Sequence, residues 1–212
     1  MRRLLGLVQV IGVLALVGLL YAWRHPDSVN RWSERTGAGA AAQHQTAADT
    51  PALPASRSVT GAQGAVAHWI GVRYGVAPDA IAPLVAEADI LGRKYGLSPH
   101  LLIAVMAIES NFHPYIESQA GAQGLMQVMP QVHSRRYEKF GGKSAFVDPM
   151  VSLRVGAEIL RDCVRLRGGS EAEGLRFYFG GGPSSATYIE KVRAEQQRLN
   201  AVARGGHVPA TG

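Results

Sequence analysis

The stretch Pro99-His100-Leu101-Leu102-Ile103-Ala104-Val105-Met106-Ala107-Ile108-Glu109-Ser110 decides how this chain folds. Eight successive apolar residues, Leu101 to Ile108, leave a helix no polar face, so the helix must be buried on nearly all sides. Glu109 closes the run four residues after Val105, three after Met106 and seven after Leu102, on the face those residues share. A carboxylate in that company meets a partner, loses its charge or does chemical work. Desolvation raises its pKa, the negative end of the helix dipole pushes the same way, and a general acid near neutrality needs that shift.

Outward from this run the sequence reads as further helices: Val66 to Tyr74, Pro78 to Tyr95, a region around Pro130 to Phe140, Val151 to Arg167, Glu171 to Tyr178, and Tyr188 to Ala203. No segment alternates convincingly like a strand, so the expected class is mainly α with at most a small β-hairpin. Ser98 is placed to cap ahead of Pro99, and Asp148-Pro149 opens the Val151 pattern. Gly75 and Gly96 end the helices before them, as residues that tolerate left-handed geometry do.

The 212 residues, 47% of them hydrophobic, suffice for one domain with appendages. Part of the apolar content lies in residues 1–23. There Met1-Arg2-Arg3 precedes a run from Leu4 to Trp23 long enough to span a bilayer. This segment is expected to be a single-pass inner-membrane anchor with the remainder outside; a cleaved signal segment is the competing reading, disfavoured because Leu20 stands where cleavage wants a small residue. Residues 24–60, rich in Ala, Thr, Gln, Ser, Pro and Gly, read as a flexible linker, 61–204 as the folded domain and 205–212 as a disordered tail.

The formal net charge of +6 thins out along the chain: from Gly61 onward 16 Lys and Arg stand against 13 Asp and Glu. No basic block interleaves with aromatics, which argues against nucleic acid. The lone Cys163 forbids an internal disulfide and reads as a small buried hydrophobe. Metal-ligand spacings are absent, and no cofactor is called for.

After Glu109-Ser110 come Ser118 and then Gly121-Ala122-Gln123-Gly124-Leu125-Met126-Gln127-Val128-Met129-Pro130. This combination resembles the lytic transglycosylases of the soluble type (SLT), relatives of goose-type lysozyme, which carry a Glu-Ser pair, a Gly-Leu-Met-Gln motif and a later Ala-Tyr-Asn motif. The resemblance covers roughly Ile81 to Ala203 and implies a lysozyme-like helical domain. It implies that Glu109 is a lone acid and then base, cleaving peptidoglycan between N-acetylmuramic acid and N-acetylglucosamine without water and leaving 1,6-anhydro ends. Ser118 would bond near the acid, Gly124 would let the backbone approach the sugar, and Leu125, Met126 and Met129 would shape the cleft. Gln127 would donate hydrogen bonds, and Tyr178 would face the cleft near Glu109. The third motif departs from the family: aligning Leu175-Arg176 lays Phe177-Tyr178-Phe179 over Ala-Tyr-Asn, with one extra residue in the Gly180-Gly181-Gly182-Pro183 that follows, so Phe179 takes the place of asparagine; a shifted alignment that sets Phe179 over the tyrosine avoids the insertion and loses the hydroxyl.

On this reading the partners are peptidoglycan glycan strands and the inner membrane, with an envelope-assembly protein as a further possibility, and the domain works in the periplasm. Two alternatives stay open: a muramidase that admits water, using Asp148, Glu117 or Glu158 as a second carboxylate, and a non-catalytic glycan-binding envelope module. Asp148 has a competing capping role, Glu158 neighbours Arg154 and Arg161, and His133 lacks the companions of a catalytic triad.

Overall fold

The computed structural model describes residues 60–210. The anchor reading of residues 1–23 and the linker reading of residues 24–60, its last residue Thr60 excepted, lie outside the described residues. Among the described residues seven α-helices follow one another: α1 (Gly61–Tyr74), α2 (Pro78–Tyr95), α3 (Pro99–Ser110), the short α4 (Ser134–Glu138), α5 (Pro149–Leu166), α6 (Glu171–Tyr178) and α7 (Ser185–Ala203), with a 3-10 turn at Lys143–Val147 before α5. Among the described residues the only extended pairing is two isolated bridges, Glu117 with Gln123 and Gln123 with Val128. No described helix is long and apolar enough to cross a membrane.

The apolar run sits where its composition demands. Helix α3 packs on α2, α5 and α7, and every residue from Leu101 to Ala107 is at most 1% exposed. Around it α1 lies on α2 and α7, α5 on α2 and α6, and α6 on α7. Each fully buried Leu, Ile or Val here contributes on the order of 1.5–3 kcal/mol of apolar burial, so the unbroken run makes α3 the central element of the core.

Helix ends follow local chemistry. Gly75 and Gly96 take φ of 68° and 67° and close α1 and α2. Asp148 accepts from the Met150 and Val151 amides and starts α5 two residues before its apolar pattern begins. Helix α1 likewise starts at Gly61, five residues earlier than its apolar pattern, because Thr60 and Gln63 form a reciprocal capping box. Ser98 stands at the N-cap of α3 without a side-chain cap bond; Pro99 at the first helical position suits the start instead. The region around Pro130 to Phe140 is helical only from Ser134 to Glu138, and Gly141 and Gly142, both at φ 99°, carry the chain away.

The C-terminal segment is tied down as far as it is described. Trp69 Nε1 donates to the Val208 carbonyl at 2.9 Å and Arg73 Nη1 to the Ala210 carbonyl at 3.3 Å. Composition marks Gly205 onward as disordered, yet these two bonds from α1 hold Val208 and Ala210 against the core.

Candidate active site

Glu109 is the penultimate residue of α3, and Asn111 ends the helix in the left-handed region at φ 49° with Phe112 following at φ 63°. Phe112 is buried and meets Tyr74 edge-on at 5.1 Å, a contact that anchors this sharp exit. Two successive non-glycine residues at positive φ cost free energy and persist where packing over-determines them. The turn brings the chain directly off the end of α3 into the loop that bears the glycine-rich motif.

That loop is fastened to α3 by Ser110, whose buried hydroxyl lies 3.0 Å from both the Met106 and Leu125 carbonyls. Leu125 and Met126 are fully buried, and Met126 packs so tightly on α5 that a Cβ at Gly156 would come within 2.4 Å of its side chain. Gly124, at φ 75°, is required by a different neighbour from the sugar expected there. A Cβ on it would meet the Phe146 carbonyl and Ser152 Oγ, both at 2.9 Å. Gln127 Nε2 donates within the loop to the Ile116 and Gly124 carbonyls. Ser118 Oγ accepts from the Ala122 amide, so its hydroxyl serves the turn before the motif and lies outside the set that surrounds Glu109. Met129, 38% exposed, is the motif's surface apolar residue.

Tyr178 ends α6 and donates its hydroxyl to the Met126 carbonyl at 2.7 Å, joining α6 to the motif. Burial first, and then the charge of nearby Glu109, push this phenol well above its ordinary pKa, so it remains a neutral donor.

Glu109 itself faces a cavity of about 370 Å³. Ile108 and Glu109 line it from α3, Phe179 and Ser184 from the α6–α7 connection, and Thr187, Tyr188 and Lys191 from α7. Tyr188 donates its hydroxyl to Glu109 Oε1 at 2.7 Å, and Phe179 stacks on the Tyr188 ring at 4.6 Å with 23° between planes. Burial raises the Glu109 pKa to about 7, and the Tyr188 bond, which favours the charged form, offsets only part of that. Tyr188 is itself raised far above the phenol range, chiefly by burial and by the charge of Glu109.

The other acidic candidates are committed elsewhere. Asp148 caps α5. Glu158 pairs with Arg136 at 2.6 Å and Lys139 at 3.0 Å, partners from α4 and its end, while Arg154 goes to Glu87 at 2.7 Å. Glu117 belongs to the bridged loop. Cys163 is buried. Among the described residues no group of three or more His, Cys, Asp or Glu could hold a metal ion.

The sequence reading missed Tyr188, the direct partner of Glu109, because it lies 79 residues away and no local pattern joins the two. Ser184, Thr187 and Lys191 escaped for the same reason. The one available signal was Tyr188 itself, an aromatic with a hydroxyl at the start of an otherwise polar helical pattern.

Three curated relatives are named membrane-bound lytic murein transglycosylase C. That of Photorhabdus laumondii subsp. laumondii is 45% identical over 62 residues, 29% of this chain and 16% of that protein. That of Mannheimia succiniciproducens is 38% identical over 83 residues, 36% of this chain and 22% of that protein. That of Klebsiella pneumoniae is 46% identical over 74 residues, 32% of this chain and 21% of that protein. The chain thus spans about a fifth of the length of these relatives. The transglycosylase SLT domain family matches residues 88–200, just over half of the chain and the whole span from α3 to most of α7, and the chain belongs to that family.

Proposed function

We propose that the chain is a peptidoglycan lytic transglycosylase, with Glu109 as acid and then base on the β-1,4 bond between N-acetylmuramic acid and N-acetylglucosamine. One observation carries the reading: Glu109 is the single carboxylate lining its cavity, and burial holds its pKa at about 7, so it is half-protonated near neutrality. Common glycoside hydrolysis uses two carboxyl groups, one to protonate the leaving oxygen and one to attack or to activate water. A cavity lined by one carboxylate suits a reaction whose nucleophile is supplied by the substrate.

In the first half-reaction the Glu109 carboxyl gives its proton to the glycosidic oxygen as the bond from that oxygen to muramic C1 breaks, and N-acetylglucosamine leaves with a new 4-hydroxyl. In the second, the Glu109 carboxylate takes the proton of the muramic C6 hydroxyl, and O6 bonds to C1 to close the 1,6-anhydro ring. Glu109 ends protonated, as it began, and no water is consumed. Proximity of O6 and C1 within one sugar supplies what a second carboxylate would otherwise provide. Tyr188, bonded to Oε1, leaves Oε2 to exchange the proton. Tyr178 joins the motif near Glu109 and Met129 is the motif's exposed apolar residue, while Ser118, Gly124, Leu125, Met126 and Gln127 serve by building the loop.

The relatives' names, the single-pass pattern of residues 1–23 and the linker pattern of residues 24–60 support a domain held at the inner membrane and acting on the periplasmic side. The experiment is mass spectrometry of soluble products after the full chain is incubated with purified peptidoglycan beside its Glu109→Gln variant. Anhydro-muropeptides from wild type alone are expected. Hydrated muramic ends would replace the lyase by a muramidase, and glycan binding without product would replace it by a binding module.

A further inference from the structure

Phe179 stands where the family resemblance places asparagine, and its ring occupies a telling position. It caps α6, lines the cavity that holds Glu109 and is 41% exposed. Its inner face lies on Tyr188, with centroids 4.6 Å apart and 23° between the planes. Tyr188 is 5% exposed and places its hydroxyl 2.7 Å from Glu109 Oε1.

The direction of that bond depends on where the axis of the Tyr188 ring points and on its plane, because the phenol oxygen lies on that axis and its O–H prefers the plane of the ring. Tyr188 sits in the first turn of α7, beyond Gly180, Gly181 and Gly182, which all take positive φ and offer the ring no side chain. Phe179 is the aromatic surface that meets it from α6. Offset-stacked rings resist rotation out of the shared plane. An asparagine at 179 would offer no such face and would act on its surroundings through hydrogen bonds instead.

We propose that Phe179 is a positioning residue, which by stacking on Tyr188 fixes the ring whose hydroxyl holds Glu109 Oε1 and so leaves Oε2 aimed into the cavity. This rests on the reading of Glu109 as the acid. The other titratable groups around Glu109 are Lys191 from α7, which lines the same cavity, and Tyr178 from α6, whose hydroxyl is already given to the Met126 carbonyl. Neither bonds to Glu109, so the orientation of the carboxyl passes through Tyr188.

The test is a kinetic double-mutant cycle on the full chain with peptidoglycan fragments, using Phe179→Leu, Tyr188→Phe, the pair together, and Phe179→Tyr as the conservative variant. Phe179→Leu is expected to lower kcat about 10- to 100-fold, the scale of a misplaced catalytic group, with KM nearly unchanged. Phe179→Tyr, which keeps the stack, should restore most of kcat. In the Tyr188→Phe background, where no hydroxyl remains to be aimed, Phe179→Leu should cost no more than about twofold. Equal losses in both backgrounds, or a change in KM alone, would overturn the proposal; the latter would make Phe179 a surface for sugar binding.

If wild type gives no anhydro product, the proposed function fails, and the positioning role is then judged without turnover. The Tyr188 ring-flip rate, followed by NMR on selectively labelled full chain, should be slow in wild type and faster in Phe179→Leu. Equal rates would overturn the stack as a lock.

Discussion

Helix α7 carries one buried carboxylate, Glu195, and the partner of a second, partly buried one, Glu109, and the protein treats the two in opposite ways. Glu195, 2% exposed, is surrounded by compensation: Arg73 Nε at 3.3 Å, Arg198 Nη1 at 2.8 Å and the Tyr74 hydroxyl at 2.7 Å. Seven residues earlier on the same helix Tyr188 gives Glu109 a single neutral hydrogen bond, and among the described residues no cation pairs with it. Burial with cations makes a structural tie between α1 and α7. Burial without them makes an acid whose pKa stands at about 7. The difference shows that desolvation becomes a tool when the surrounding charges decline to cancel it.

The comparison breaks most readily at Glu109. Glu109→Gln is expected to lower the rate of anhydro-muropeptide release by at least the 10²- to 10⁴-fold typical of general acid–base groups, measured by product mass spectrometry on protein of unchanged circular dichroism. A residual rate near wild type would remove Glu109 from its role.

Stability should answer in opposite senses. A carboxyl raised from 4.5 to about 7 keeps its proton in the folded state while the unfolded chain has lost it. The folded protein therefore loses stability as pH rises through that window, by up to about 3 kcal/mol, and the cost is absent below pH 4. Glu109→Gln removes the cost, so its Tm should exceed wild type at pH 8 and match it at pH 4, as thermal scans would show. Glu195→Ala, in contrast, strips two guanidinium groups of their counter-charge and should cost about 2–4 kcal/mol in denaturant titration, with turnover per folded molecule near wild type. Should both substitutions destabilise alike at pH 8, the contrast drawn between the two carboxylates would be wrong.

The pH profile sharpens the same point. The acid step needs protonated Glu109, so kcat/KM should fall about tenfold per pH unit above about 7. Tyr188→Phe removes the one bond that favours the carboxylate, so this falling limb should move to higher pH while the maximal rate drops. A limb that stays in place would mean that the hydroxyl does not govern the acid.

The smallest effect belongs to the frame. Asp148→Ala removes the α5 cap and should cost about 1 kcal/mol in thermal melts, with the pH limb unmoved. A moved limb would show that the α5 start and the acid are coupled.

Much of this architecture was legible before any coordinates. The run from Leu101 to Ile108 required a buried helix, and Pro78, Gly96, Pro99 and Glu171 mark ends that the structure keeps, because caps, prolines and left-handed glycines act within a few residues of sequence. The placement of Glu109 on an apolar face likewise carried the sign of its pKa shift. Where reading failed locally, as at Thr60 and Gln63, the signal was present and short-ranged.

The sequence by itself thus determined the helices, the central place of α3 and the acid at its end. Tertiary structure alone decided what surrounds that acid. It turned Leu125 inward and Met126 onto α5, set Gly124 against Phe146 and Ser152, gave Tyr178 to the Met126 carbonyl, and brought Tyr188 and Phe179 across 70 or more residues to Glu109. The physical reason is that helix formation is settled by neighbours along the chain, whereas a carboxylate's charge is settled by whatever packs on it in space.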